Sequence, residues 1–287
     1  MNELDSYINR VKRLPPAPRV LPQLLQLLRQ PEVPSEKVVN LITYDPALTA
    51  SVLQLCNSAF FGLSTPVSNL TEAVSQIGFQ QIYQLVVAAS SSRTLAPPQK
   101  GYAIDQGQLW KHSVTAALAA QLLARAQGED DGIVFTAGLL HDLGKIILSE
   151  ALEKNYADLL AEAKNTDKPL LDIEKKILGV DHAQVGGRLL DRWKFPPNLV
   201  AAVWFHHTPR AAGEHERLAS YIYFGNVVAH LLGHTYGHKS MALQGRGDVL
   251  KTLGLAPGDL EKYMFLTVDE LSRVESIFNV RSEAAMA

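Results

Sequence analysis

The stretch from Val134 to Ile147, VFTAGLLHDLGKII, is the segment that most limits how this chain can fold. A run this apolar belongs in a core, yet it carries an imidazole and a carboxylate, His141-Asp142, at its centre. An ionised carboxylate is costly to bury unless it is paired or bound to a cation. The fold must therefore bring partners to this dipeptide from elsewhere in the chain. Adjacent helical residues point about 100° apart, so the pair suits one ligand each to two neighbouring metals, or a carboxylate bridging both. The structural alternative is a core histidine hydrogen-bonded to Asp142 at a local helix end.

Histidine placement names the candidate partners. All nine histidines lie between His112 and His238, and the first 111 residues have none. His112 sits on the apolar side of the helical pattern LWKHSVTAALAAQLL, and His182 follows Asp181 where another helix opens. His206-His207 closes the apolar run LVAAVWFHH. Four helices thus bring imidazole to an apolar end, an arrangement suited to metal ligation. Three further histidines, His230, His234 and His238, recur every four residues but are interrupted by Gly233 and Gly237, so a solvated or structural role is expected of them. His215 lies in the polar stretch GEHER and is expected at the surface. Cys56, between apolar residues, is expected to be packing rather than a nucleophile.

Elsewhere the pattern is helix after helix. Apolar residues recur at three- and four-residue spacing, and no period-two segments joined by hairpin turns appear in the first half. Expected helices include 20–28, a run from Asn69 to Gly78, 109–127, a continuous stretch 130–150, 156–165, 182–193, 199–207 and 218–232, with short final helices after residue 248. The segment TLAPPQKGYAIDQG, residues 94–107, is the best boundary. The expectation is an all-α protein of two helical subdomains, residues 1–100 without histidine and residues 101–287 with it.

Composition removes several classes. Lys+Arg 27 against Asp+Glu 29 leaves a formal net charge of −2, with no cationic field to gather nucleic acid or anionic membrane. No uninterrupted apolar stretch approaches the ~20 residues of a membrane span, and the polar N-terminus lacks a signal-peptide pattern. A single cysteine excludes an intrachain disulfide framework and fits a reducing, cytoplasmic setting.

Taken in order, WKHS, AGLLHDLGK, DHAQVGGRLLDRW and HH resemble the HD superfamily of metal-dependent phosphohydrolases. The earlier segments LPPAPRVLPQLLQLL, TYDPALTASVLQLCNSAFFG and TPVSNLTEAVSQIGFQQIYQLVVAAS resemble the HDOD family, the HD-related output domain. The resemblance covers roughly residues 14–207 and implies an HD-like helical bundle in the second half. It implies metal ligands at His112, His141, Asp142, His182, His206 and His207. Where the superfamily supplies a last aspartate, this chain offers Asn226, a neutral and weaker oxygen ligand. Where cyclic-dinucleotide phosphodiesterases carry Gly-Tyr-Pro, it has Thr208-Pro209-Arg210, which counts against that activity.

Three functions follow as expectations. HDOD proteins are mostly signalling or regulatory modules, so the first is a regulator holding one or two divalent transition metals, iron or manganese before zinc. It would act on a separate signalling protein or a nucleotide or other phosphate-containing ligand. The second is a phosphohydrolase, in which two metals about 3.5–4 Å apart activate a water, Asp142 anchors them, and Lys145 neutralises the phosphate. The third is a metal-free adaptor. The oligomeric state is left open.

Overall fold

Helices account for nearly all regular structure in the computed structural model, which describes residues 3–10, 23–24, 35–43, 46–58, 61–152, 170–234, 246–256 and 258–284. Among these residues there is no strand, only an isolated bridge between Gln99 and Ile104. The all-α expectation holds. The helices expected at 20–28 and 156–165 fall, wholly or almost wholly, outside the described residues.

The chain divides into two compact units. The smaller comprises residues 18–92 and 268–287. Its helices α2 (Ser35–Thr43), α3 (Pro46–Cys56), α4 (Leu70–Ile77) and most of α5 (Phe79–Leu95) enclose a core that includes Ile42, Val52, Leu55, Leu70 and Ile82. Local chemistry sets the ends of α4. The Asn69 side chain accepts from the Glu72 amide while Glu72 reaches back to the Ser68 amide, and Gly78 stops the helix at φ 95°. Cys56 is fully buried and burial pushes its thiol up to about 11, as packing rather than reactivity requires.

The larger unit comprises residues 1–17 and 93–267. It contains α1 (Glu3–Arg10), α6 (Gln108–Ala126), α7 (Asp131–Leu140), α8 (Leu143–Leu152), α9 (Leu170–Leu178), α10 (His182–Arg192), α11 (Pro197–Trp204), α12 (Glu216–Leu231), α13 (Arg246–Thr252) and the start of α14 (Asp259–Ala284). Residues Pro209–His215, expected as a polar loop, form a 3₁₀ helix leading into α12. The N-terminal α1 lies along α10. Asp5 pairs with Arg188 at 3.0 Å and Arg192 at 3.0 Å, and the Tyr7 hydroxyl donates to the Leu178 carbonyl at 3.0 Å.

Two features mark the apolar centre. The stretch 130–150 is two helices, α7 and α8, broken by a turn at His141-Asp142. The turn frees both side chains from a single helix surface. Secondly, Asp131–Ser149 reaches membrane-span length by mean hydropathy, although Asp142 and Lys145 interrupt it, so the expectation of no uninterrupted apolar span stands. It is 94% buried within the protein, as core helices of this kind are.

Glycines allow the helices around this turn to close in. A Cβ on Gly144 would strike the His182 carbonyl and sit 2.7 Å from the Gly186 nitrogen, so α8 and α10 touch backbone to backbone. Gly225 does the same for α12 against the Ala116 carbonyl of α6. Gly144→Ala should therefore destabilise the protein by about 1–3 kcal/mol, the cost of forcing apart a packed contact. Thermal unfolding measures it, and an unchanged melting temperature would contradict this packing.

Candidate metal centre

Four of the predicted histidine ligands, His112, His141, His182 and His206, face one carboxylate, that of Asp142. Asp142 is 1% exposed. Its Oδ2 lies 3.4 Å from His141 Nε2, 3.6 Å from His112 Nε2 and 2.7 Å from Lys145 Nζ. Its Oδ1 lies 3.3 Å from His182 Nε2 and 3.9 Å from His206 Nε2. His207 Nε2 follows at 3.0 Å from His182 Nε2. The donors form two groups within ligating reach of one another, His112-His141-Asp142 and His182-His206-His207. Asp142 lies between them, one oxygen towards each.

The far side of each ring explains why Nε2 is the atom offered. His141 Nδ1 lies 2.7 Å from the Gly138 carbonyl, His206 Nδ1 2.7 Å from the Val203 carbonyl, and His112 Nδ1 2.6 Å from the His234 carbonyl. A carbonyl only accepts, so Nδ1 carries the proton in all three and the Nε2 lone pair points at Asp142. The Nε2 atoms of His141 and His206 are buried and make no hydrogen bond among the described residues. Buried imidazole nitrogens without a hydrogen bond, converging on a carboxylate, are a donor set suited to a transition metal.

His182 is oriented differently. Asp181 caps α10, its side chain accepting from the Gln184 amide at 2.8 Å while Gln184 accepts from the Asp181 amide at 3.2 Å. This box fixes His182 at the first helical position. Its Nδ1 faces Glu174 at 2.7 Å, and its backbone amide donates to the same carboxylate at 2.8 Å. The Tyr102 hydroxyl completes the set, donating to Glu174 at 2.7 Å.

Glu174 was not among the expected site residues, although its signal was present. It occupies a position within the apolar stripe Leu170, Ile173, Ile177, Leu178 of α9, where a carboxylate needs a partner. His230 also belongs here: its ring centroid lies 5.0 Å from that of His112. His234 contributes its backbone carbonyl, His238 lies outside the described residues, and His215 is half-buried in the 3₁₀ helix. Asn226 is 2% exposed, and its Oδ1 makes no hydrogen bond among the described residues. Lys145, expected to neutralise a phosphate, donates to Asp142 at 2.7 Å.

Charge follows from this geometry. Burial alone would raise the Asp142 carboxyl, but His141 and Lys145 outweigh it and hold it well below the usual carboxylate range. Burial lowers His112, His141, His206 and His207, and takes His230 down to about 4. Burial would lower His182 too, yet Glu174 dominates the opposing causes and it is pushed up to about 9.

Comparison with known proteins identifies the family and the fold. Residues 14–209 match the HDOD domain. The chain belongs to the HDOD domain family. A Treponema pallidum protein of uncharacterised function is 28% identical over 230 residues, which are 79% of this chain but 44% of that relative. The chain thus spans under half of that relative's length. Among solved structures, an HDOD domain protein of unknown function from Geobacter sulfurreducens superposes with a TM-score of 0.77 at 22% identity, covering 96% of each chain. A Marinobacter aquaeolei protein provisionally named for signal transduction gives 0.75 at 24%, covering 97% of this chain and 64% of its own. One from Shewanella amazonensis, provisionally named a phosphohydrolase, gives 0.71 at 23%, covering 96% of each. At these identities the likeness establishes the HDOD fold.

The buried imidazoles generate a pH dependence in metal-stripped protein. In the unfolded chain they titrate near 6.5, and five of them titrate lower when folded. Below about 6.5 the unfolded state binds more protons, so their stability is present above that pH and lost as pH falls, for His230 through about 4. His182 runs oppositely, its contribution complete below 6.5 and lost as pH rises through about 9. Five against one, the melting temperature should fall clearly from pH 7 to pH 4. A flat profile over that range would contradict the buried neutral histidines.

Proposed function

We propose that this HDOD chain is a regulatory protein that holds a divalent transition metal through His112, His141, Asp142, His182, His206 and His207, and acts by recognising a signalling partner or small ligand. The observation that carries the reading is the convergence of four Nε2 atoms on the Asp142 carboxylate, with His207 beside His182, three of the four held in the ligating tautomer by backbone carbonyls. Imidazole with carboxylate favours iron, manganese or zinc over calcium or magnesium. The metal would supply Lewis acidity and a point of attachment for an anionic group.

Charge bears on how many ions are held. Two dications 4 Å apart repel by about 16 kcal/mol at an effective dielectric of 20, against about 4 kcal/mol for unit charges. Among the described residues Asp142 is the one carboxylate between the two donor groups, Lys145 already sits on it, and Asn226 brings no charge. This supports one firmly held ion, with a second weaker. It also supports recognition over turnover, because a two-metal hydrolytic centre needs both ions in place.

A metal-dependent phosphohydrolase is the second reading. The division of the donors into two groups of three, bridged by Asp142, is the observation in its favour. The absence of Gly-Tyr-Pro after His207 weighs against cyclic-dinucleotide cleavage within it. The Lys145–Asp142 pair at 2.7 Å is what a metal-free adaptor would use to neutralise its buried carboxylate.

Elemental analysis after loading with manganese, iron or zinc separates the three. The wild type should retain metal, Asp142→Asn should lose it, and Glu174→Gln should weaken retention by about 10–100-fold, as for other partners that orient a ligating histidine. A wild type that retains none contradicts both metal readings. Hydrolysis of a phosphate-ester panel that disappears in Asp142→Asn would establish the enzyme.

A further inference from the structure

A cavity of about 390 Å³ adjoins the metal centre, walled by the Pro209–His215 3₁₀ helix, α12 and α13. His207 belongs to both. The other residues of the two donor groups are fully buried, whereas His207 is half-exposed. The cavity therefore reaches the centre through its one accessible histidine. Its size falls within the range of small-molecule sites, about 300–1,000 Å³.

The walls state what would fit. Pro209, Tyr223 and Val249 give an apolar surface with one aromatic face. Ser220 is fully buried, and its Oγ makes no hydrogen bond among the described residues. A buried hydroxyl of this kind is costly unless something else bonds to it. Arg210 and Asp248 pair at 3.0 Å, with side chains 70% and 54% exposed. Such a pair is worth little in water and is readily exchanged for another anion. Glu216 lies deeper and accepts from the Thr252 hydroxyl at 3.2 Å.

We infer that this cavity is a ligand site for a phosphate monoester of mononucleotide size, its phosphate towards His207 and Arg210 and an N–H-bearing heterocycle against Tyr223, Glu216 and Ser220. Two carboxylates against one guanidinium in the wall oppose a polyphosphate or a dinucleotide. They favour a single anionic group joined to a body that donates hydrogen bonds. The inference names the ligand class of the proposed regulatory site and rests on that reading for the metal at the phosphate end.

Calorimetric titration of the full chain loaded with manganese tests it, using 5′-AMP and 5′-GMP, with ribose 5-phosphate as the ligand lacking a base. At least one nucleotide should bind saturably, about tenfold or more tighter than ribose 5-phosphate, since buried polar groups left unpaired by the smaller ligand cost that much. Ala211→Trp, which fills the cavity from an exposed position, should abolish binding while leaving metal content unchanged. Arg210→Ala, at the surface, should weaken it about tenfold through loss of a charge-assisted bond. No saturable binding by metal-loaded protein, undiminished binding by Ala211→Trp, or equal affinity for ribose 5-phosphate would overturn the assignment. Metal content is read on the same samples. If the wild type holds none, the metal reading fails by itself, and the titration without metal decides the cavity: nucleotide binding lost in Ala211→Trp upholds it, and no binding overturns it.

Discussion

A carboxylate that is 1% exposed must be neutralised by what surrounds it, and the larger unit is arranged to do so for Asp142. The α7–α8 turn brings Asp142 out of a continuous helix. Gly144 lets α10 approach until His182 reaches Oδ1, and the α11 end delivers His206 and His207. Gly225 lets α12 lie against α6, the helix that carries His112.

Neutralisation has two routes here, and they compete. Lys145 reaches Oδ2 at 2.7 Å with a charge of its own. The imidazoles cannot do this as cations, because burial keeps most of them neutral. Neutral rings with Nδ1 tied down are poor counter-ions but good metal ligands. Three rings turned this way, His112, His141 and His206, exceed what a hydrogen-bonded core requires, since Lys145 and His182 between them already face both Asp142 oxygens. That excess is the physical basis for the metal reading over the adaptor.

Much of this was legible in sequence. Apolar spacing announced an all-α chain, and the order His112, His141-Asp142, His182, His206-His207 announced the centre, because each imidazole sat where a helix is apolar. Local patterns also marked Asn69 and Asp181 as helix starts, which their side-chain caps bear out. What failed was anything decided between distant segments. Glu174 stands in an apolar stripe, but its partners, Tyr102, 72 residues earlier in the chain, and His182, are set by the tertiary fold. His230 looked solvated because its distance to His112 depends on the crossing of α6 and α12. The docking of α1 rests on Asp5 and Arg188, 183 residues apart, which no periodicity reports. The helix break at His141-Asp142 was hidden because the apolar run continues through it.

What occupies the space between Asp142 and the Nε2 atoms decides whether this is a metal centre. Anomalous diffraction from crystals of manganese-loaded protein, recorded on both sides of the manganese edge, would locate it. The predicted result is an anomalous peak within bonding distance of Asp142 and at least two of His112, His141, His182 and His206. An absent peak, with Lys145 Nζ still on Asp142 Oδ2, would contradict it and leave a bundle whose buried carboxylate is neutralised by protein alone.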